Sequence, residues 1–163
     1  MTSDIQILLK NLLMKHSIEI KLTRLSPLAK IPEYQSAGAA ACDLCAAIDS
    51  PTVIKAGERM LIPTGLAAEP VSDSPVVLLI FPRSGLASKH GISLSNGVGV
   101  VDMDYRGEIK AALVNTSGTD YTITPGERIA QLMVIPILTA HFTETDSLSQ
   151  TERGDGGFGH SGR

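Results

Sequence analysis

Residues 95–110 are the strongest candidate for chemistry, since they read SNGVGVVDMDYRGEIK and place two carboxylates two positions apart. Asp102 follows a run rich in valine, where burying a carboxylate costs desolvation free energy. Asp104 comes next, in front of a tyrosine, an arginine and a glycine. Gly97 and Gly99 permit positive φ and let a ligand approach bare backbone. A β-hairpin that only served folding would seldom need this combination, although two acids in a solvated turn are the alternative interpretation.

Two further segments have the residue types of an anion site. Residues 82–86, PRSGL, place an arginine and a hydroxyl beside a glycine at a predicted junction from strand to helix, where backbone N–H groups point towards anions. Residues 126–131, GERIAQ, put an arginine and a glutamine on a predicted strand. Each segment alone is weak, because such residues are common in ordinary loops.

The end of the chain, residues 153–163, is rich in glycine and contains a G-x-G-x-x-G spelling at positions 154, 156 and 159. No helix is predicted after it and no βαβ unit before it, so a dinucleotide site fails its structural test. Arg153, His160 and Ser161 are anion-binding side chains, and Phe158 is an aromatic ring able to stack on a base. A flexible tail is the alternative.

The two cysteines, Cys42 and Cys45, form a CxxC pair. A zinc site needs further ligands at suitable spacing, and no second CxxC exists in the sequence. If residues 40–47 are extended, side chains three positions apart also point to opposite faces. We therefore expect neither a metal nor a redox role, and we expect a reducing compartment.

A repeating two-residue period predicts the elements that position these segments. Apolar and polar residues alternate from residue 18 to residue 23, and a short helix is predicted near residues 84–89. Turn signals at 50–51, 63–65, 117–118 and 125–126 separate further β-prone runs. These runs lie around residues 52–55, 59–62, 75–81, 98–102, 108–115, 121–124 and 128–135. Many short strands with frequent turns predict an all-β sandwich or jelly-roll-like barrel.

The ends of the chain follow different patterns. A helical period with a capping-box spelling predicts a short amphipathic helix over residues 4–15, within an N-terminal extension of residues 1–16. Met14 offers a second plausible start, so we expect the first thirteen residues to be dispensable. Residues 17–142 form the predicted barrel, and residues 143–163 form a polar tether with the glycine-rich arm.

Composition limits the classes of partner. At 163 residues the chain has the size of one domain, and its 14 basic and 17 acidic residues leave a net charge of -3. That charge removes the strong electrostatic argument for binding nucleic acid or a membrane surface. No apolar run reaches transmembrane length and no signal peptide precedes the first strand, so we expect a cytoplasmic protein.

Taken in order, five segments resemble the five motifs of the trimeric dUTPase family, over a stretch from Ile18 to the last residue. The matching segments are AAACDL at 39–44, PRSGLA at 82–87, residues 96–109, GERIAQ at 126–131 and RGDGGFGHSG at 153–162. Ala41 departs from the family, which usually has glycine there. The resemblance implies a jelly-roll-like, distorted β-barrel of the β-clip type that forms a homotrimer with active sites shared between subunits.

The resemblance also implies hydrolysis of dUTP to dUMP and pyrophosphate, which supplies dUMP for thymidylate synthesis and keeps uracil out of DNA. Asp102 is then the general base that activates water, and Asp104 is structural. Mg²⁺ clamps the phosphate oxygens, and Asp43 contributes through metal-bound water. The residues implied to bind the three phosphates are Arg83, Ser84, Gly85, Gln131, Arg153, His160 and Ser161.

Selectivity is implied to reside in the hairpin. Asn96 and the backbone around Val100, Val101 and Lys110 bind the uracil edge, while cytosine would leave buried groups unpaired. Tyr105 lies beneath the sugar, with an ordinary core tyrosine as the alternative. Phe158 closes over the base from a neighbouring subunit.

Two other functions share this architecture. A dCTP deaminase has part of the hairpin chemistry but lacks the glycine-rich arm and employs a glutamate in the site. A non-catalytic nucleotide-binding jelly roll would be expected to lose Asp102 or Arg153, and both are present.

Overall fold

A computed structural model describes residues 17–156 of the chain. The predicted N-terminal helix and the predicted site residues Phe158, His160 and Ser161 lie outside the described residues. Within the described part the structure contains ten strands and one short helix. They are β1 (Glu19–Arg24), β2 (Cys42–Cys45), β3 (Thr52–Ile54), β4 (Arg59–Val71), β5 (Val76–Pro82), α1 (Ser84–His90), β6 (Ile92–Leu94), β7 (Gly99–Val101), β8 (Ile109–Asn115), β9 (Tyr121–Ile123) and β10 (Arg128–Pro136).

The strands form two antiparallel four-stranded sheets, in the orders β1-β4-β8-β6 and β2-β10-β5-β7, and a small sheet of β3 and β9. The alternating residues that face inward are aliphatic and bury one continuous core. Its largest fully buried side chains include Leu44, Ile62, Leu66, Leu78 and Leu113. The predicted all-β, jelly-roll-like class is therefore confirmed. In residues 17–156, no helix is long and apolar enough to span a membrane.

The interpretation of residues 63–65 as a turn between strands was wrong. They lie inside β4, because Pro63 pairs with Lys110 and Leu66 pairs with Ile109, which leaves Thr64 and Gly65 as extra residues opposite one step of β8. We call residues 63–66 the β4 bulge. Pro63 and Gly65 are typical of turns, and a bulge uses the same conformational freedom without ending the strand.

Two short strands were also not predicted as such. In β2, Cys42 and Leu44 are buried while the residues between and after them are half-buried, so the alternation is real but only four residues long. In β6, three residues follow α1 directly. No residue of β2 is β-branched or aromatic, and only Gly91 separates β6 from α1, so neither run stood out as a strand.

The β4 bulge is held by its neighbours on three sides. The buried Thr64 hydroxyl donates to the Ile109 carbonyl at 2.6 Å. The Gly65 carbonyl accepts the N–H of Leu25 at 2.7 Å, and the Pro63 carbonyl accepts the N–H of Ala47 at 2.8 Å. Three separate segments therefore converge on this point of β4.

We predict that Gly65→Ala is more destabilising than Gly57→Ala. Both glycines have positive φ, at 67° and 79°, so each substitution costs about 1 kcal/mol in backbone strain. A Cβ at Gly65 would lie 2.9 Å from the Cβ atoms of Ala29 and Ser26, whereas one at Gly57 meets nothing within 4 Å. Overpacking adds about 1–3 kcal/mol at Gly65 alone. Denaturant unfolding at equal protein concentration measures the difference, and equal costs would contradict the crowding argument.

Candidate active site

The loop between β7 and β8 lines a cavity of about 260 Å³, here called the hairpin cavity. The structure brings six of the predicted residues together on its walls. They are Asn96, Val100, Val101, Asp102, Tyr105 and Lys110. The short strand β7 positions Val100 and Val101 by pairing with β5 at Leu79 and Leu78. Gly99 is needed in that pairing, since a Cβ there would approach the Ile80 Cβ to 3.0 Å.

Tyr105 is held against its own loop rather than in the core. Its backbone N–H donates to the Asp102 carbonyl at 3.1 Å, and its hydroxyl donates to the Glu108 carbonyl at 3.1 Å. A Cβ on Gly107 would overlap the phenol ring, so this glycine allows the ring to lie on the backbone. The side chain is 46% exposed, which makes the alternative of an ordinary core tyrosine wrong.

The expectation that Asp102 is desolvated among valines was wrong for the single chain. Asp102 is exposed, because Val98 and Val100 point outward at 38% and 64% exposure. The apolar run reflects an outward-facing surface, and the sequence period alone does not distinguish an apolar surface from an apolar interior.

A second cluster lies at the ends of β2, β5 and β10 and consists of Asp43, Arg83 and Arg128; we call it the arginine cluster. Asp43 Oδ1 accepts a hydrogen bond from Arg83 Nε at 3.0 Å, and Asp43 Oδ2 accepts one from Arg128 Nη1 at 3.0 Å. Arg83 Nη1 also donates to the Arg128 carbonyl at 3.0 Å. The carboxylate is 13% exposed, so these charge-assisted bonds are partly shielded from water.

A bulge in β10 places Arg128 in this cluster. Gln131 pairs with Asp43, and Arg128 pairs with Cys45, with a register shift between Arg128 and Ala130. Residues three apart on a regular strand point to opposite faces, whereas the extra residue brings Arg128 to the face that carries Asp43. Consecutive burial of Ile129 and Ala130 marks the shift. Arg128 was noticed in the sequence but was not predicted as a site residue.

Three of the other residues predicted to bind phosphate lie beside this cluster. Gln131 Nε2 donates to the Pro82 carbonyl at 2.9 Å, which fixes its amide next to the residue before Arg83. Ser84 and Gly85 are exposed in the first turn of α1, where backbone N–H groups have no partner within the helix. Ala41, the departure from the motif pattern, lines a recess together with Gln131.

Arg153 is described but lines neither the hairpin cavity nor the recess around Gln131. Its Nε donates to the Gly156 carbonyl at 2.8 Å, within its own segment. The hairpin cavity and the recess share no lining residue. The described part of one chain therefore presents the two halves of the predicted site separately.

A tyrosine and a glutamate brace the turn that precedes Arg128. The Tyr121 hydroxyl donates to Glu127 Oε1 at 2.6 Å, and Glu127 Oε2 accepts the Thr124 N–H at 2.8 Å. Burial, together with the Glu127 carboxylate, raises the pKa of Tyr121 to about 12. The ring of His90, at the end of α1, lies 5.1 Å from the Tyr121 ring. The contact between His90 and Tyr121 has no signal in the sequence, because only the fold brings these two residues together.

The fold and these residues define an all-β protein in which two arginines are held on an aspartate at strand ends, apart from a cavity with polar and apolar walls beside a hairpin. The family model for dUTPase matches residues 28–162. Since that match covers most of the chain, the protein belongs to the dUTPase family.

Named relatives agree with this assignment. The chain is 44% identical over 149 residues to the deoxyuridine 5'-triphosphate nucleotidohydrolase of Pseudomonas entomophila, covering 90% of this chain and 98% of that protein. It is 46% identical over 148 residues to the protein of the same name from Tolumonas auensis, covering 90% and 97%. A solved structure of a Staphylococcus bacteriophage 80alpha dUTPase mutant with dUpNHpp superposes with a TM-score of 0.80 at 26% identity, covering 89% of this chain and 99% of that one.

We predict that the two cysteines react slowly with thiol reagents in the folded protein. Burial raises the pKa of both the Cys42 and the Cys45 thiol, so less reactive thiolate is present at neutral pH and the rate continues to rise into the alkaline range. Cys45 is half-buried and Cys42 is buried, so Cys45 should react first. Reaction with an aromatic disulfide, before and after denaturation, measures this.

Single Cys42→Ser and Cys45→Ser variants assign the two rates. Rapid formation of an internal disulfide in the folded protein would contradict the placement of the two side chains on opposite faces of β2.

Proposed function

We propose that this protein hydrolyses dUTP to dUMP and pyrophosphate. The observation that carries the proposal is the hairpin cavity, where a carboxylate, a tyrosine, an asparagine and a lysine converge in a chain of the dUTPase family. A nucleotide that lay across this cavity would place its base against β7 and its phosphates towards a cationic cluster such as that around Arg83.

Asp102 acts as the general base in this proposal. It orients a water molecule and takes its proton while the water oxygen attacks the α-phosphorus. The bond from the α-phosphorus to the oxygen that leads to the β-phosphate breaks, and pyrophosphate leaves. Exposure of Asp102 in the single chain supports this role, because both water and nucleotide can reach it. General-base catalysis of this kind contributes on the order of 10² to 10⁴ in rate.

The base is selected by hydrogen bonding in the hairpin cavity. Asn96 and the backbone of Val100, Val101 and Lys110 bind the uracil edge, and the ring of Tyr105 lies beneath the deoxyribose. A cytosine reverses the donor and acceptor pattern and leaves cavity groups unpaired. When water is excluded from the site, such a mismatch lowers kcat/KM by roughly 10⁴ to 10⁵.

The phosphates are bound by the arginine cluster and its neighbours. Asp43 contributes first by fixing the guanidinium groups of Arg83 and Arg128, since both of its oxygens lie on them. A planar guanidinium held on one edge presents its other donors to phosphate oxygens. The remaining proposed phosphate and arm contacts are Ser84, Gly85, Gln131, Arg153, Phe158, His160 and Ser161.

The metal is proposed to be Mg²⁺. Among residues 17–156 no group of three or more His, Cys, Asp and Glu side chains is placed to hold a metal ion. Mg²⁺ commonly keeps several waters and binds through substrate phosphates with few protein ligands, and the residues present fit that mode. Asp43 retains acceptor capacity for a metal-bound water, since each carboxylate oxygen has more than one lone pair. When bound, the ion offsets charge on the phosphate oxygens.

The active unit is proposed to be a homotrimer with shared sites. Separation of the hairpin cavity from the recess around Gln131 supports this, because a second chain can place its own residues opposite the first cavity. The exposed apolar residues Leu61 and Val100 line the hairpin cavity at 65% and 64% exposure, as expected of a surface that a partner covers.

Free Cys42 and Cys45 thiols support a reducing, cytoplasmic location.

Incubation with dUTP, dCTP and dTTP in the presence of Mg²⁺ tests the proposal against its rivals. We expect pyrophosphate from dUTP and little product from the other two. Ammonia from dCTP would identify a deaminase, and binding without any product would identify a nucleotide-binding protein.

Asp102→Asn should lower kcat by about 10² to 10⁴ and leave nucleotide binding nearly unchanged, because the amide keeps the shape of the side chain but accepts no proton. Steady-state kinetics and calorimetric titration with dUMP measure the two effects. Asp104→Asn, in the same exposed turn, is the matched control and should keep most activity. Full activity of Asp102→Asn would remove Asp102 as the base.

Deletion of residues 153–163 should abolish most turnover without unfolding the barrel, since these residues make none of the described strand pairings. Circular dichroism and thermal unfolding check the fold. Mixing this variant with Asp102→Asn subunits should restore part of the activity if sites combine residues from different chains. Loss of the fold on deletion would contradict a role of residues 153–163 in activity alone. No recovery of activity in mixed oligomers would contradict sites shared between chains.

A further inference from the structure

Glu108 lies on the wall of the hairpin cavity and has no part in the chemistry described above. Its side chain is 23% exposed. Oε1 accepts a hydrogen bond from the backbone N–H of Gly65 at 2.9 Å, and Oε2 lies 3.3 Å from Nζ of Lys110. Its carbonyl accepts the Tyr105 hydroxyl at 3.1 Å. One residue thus contacts the β4 bulge and two residues of the cavity.

The Gly65 end of this contact is fixed. Gly65 is buried within the β4 bulge, and its carbonyl is bonded to Leu25 while Thr64 beside it is bonded to Ile109. Its backbone N–H cannot reach another partner without moving these neighbours. The Glu108 carboxylate therefore meets a donor whose position is set by the sheet.

The other polar contacts of the loop are local or exposed. Arg106 donates to the carbonyls of Met103 and Tyr105, both in the same loop. Its contact with Glu69 spans 3.8 Å, and both side chains are about half exposed. Exposed ion pairs of that kind contribute little. The partly buried bond from Gly65 to Glu108 is thus a charge-assisted contact between the loop and the sheet, of the stronger class.

We propose that Glu108 is a positioning residue that fixes the hairpin cavity in the shape needed to select the base. The inference rests on the proposed function, and Glu108 itself does not touch the reacting atoms. Its carboxylate fixes the loop at Gly65, its carbonyl orients Tyr105, and its second oxygen restrains Lys110. Without the Glu108 side chain the loop can move relative to β7. The cavity groups proposed to bind the uracil edge then no longer align with the base.

The test compares Glu108→Ala with Glu108→Gln. The alanine variant removes the acceptor for Gly65 and should raise KM for dUTP and the dissociation constant for dUMP on the order of tenfold. It should also reduce the preference for dUTP over dCTP in kcat/KM, with a smaller change in kcat. Glutamine keeps an acceptor oxygen for the Gly65 N–H, and it loses the charge on that bond and the half-exposed ion pair with Lys110. Because the contact itself is kept, this variant should stay within about threefold of the parent protein.

Glu58 offers a matched control, because Glu58 Oε2 accepts the backbone N–H of Lys55 at 3.3 Å in an exposed turn and lines no part of the hairpin cavity. Glu58→Ala should leave KM, the dUMP dissociation constant and the base preference unchanged. Thermal unfolding of all variants separates lost stability from lost positioning. If Glu108→Ala does not fold, Glu108→Asp, whose shorter side chain withdraws the acceptor from Gly65, takes its place.

The inference is overturned if Glu108→Ala lowers the melting temperature but keeps the KM, the dUMP affinity and the base preference of the parent. It is also overturned if glutamine is as damaging as alanine, or if kcat alone falls. A parent protein that does not hydrolyse dUTP would instead contradict the proposed function, so the two failures are distinguishable.

Discussion

The β4 bulge is the constraint on which the rest of the structure depends. Two extra residues in one strand of an antiparallel pair leave backbone groups without ladder partners, and buried backbone groups need partners. Here those partners come from outside the ladder: Leu25, Ala47 and the side chain of Glu108. The irregularity therefore ties together segments that are far apart in sequence, and the loop of the hairpin cavity is one of them.

In the arginine cluster, too, one side chain holds groups from different segments in place. Two arginines close to each other repel, and the phosphate site proposed here needs them together before the anion arrives. Asp43 stabilises that arrangement by accepting from both guanidinium groups in a partly shielded position. A net charge of -3 is no obstacle to anion binding, because the local donors and not the whole chain supply the field.

Apolar side chains of the single chain are not all buried in its core. Val98, Val100 and Leu61 are exposed beside the hairpin cavity, although their side chains are as apolar as those of the core. The valines before Asp102 predict an apolar environment in the sequence. The sequence does not show whether the same chain or a second one covers these side chains.

Much of the architecture was readable in the sequence, because strands and turns are specified by local alternation and by residues such as glycine and proline. The all-β class, the strands from β3 to β10 with the exception of β6, and the helix after Arg83 all followed from that. The second strand was not identified, because none of its residues is β-branched or aromatic. Residues 63–65 were mistaken for a turn because a bulge and a turn demand the same residue types.

The sequence by itself determined which residue types are available for chemistry, since ordered motifs with specific spellings fix the carboxylates, arginines and glycines of the candidate site. Only the tertiary structure decided which of them meet. The pairing of Asp43 with Arg128 depends on a register shift in β10, and the contact of Glu108 with Gly65 depends on one in β4. A shift of one residue, as in β10, reverses the face on which a side chain lies, and such shifts are set by long-range pairing that no local pattern encodes.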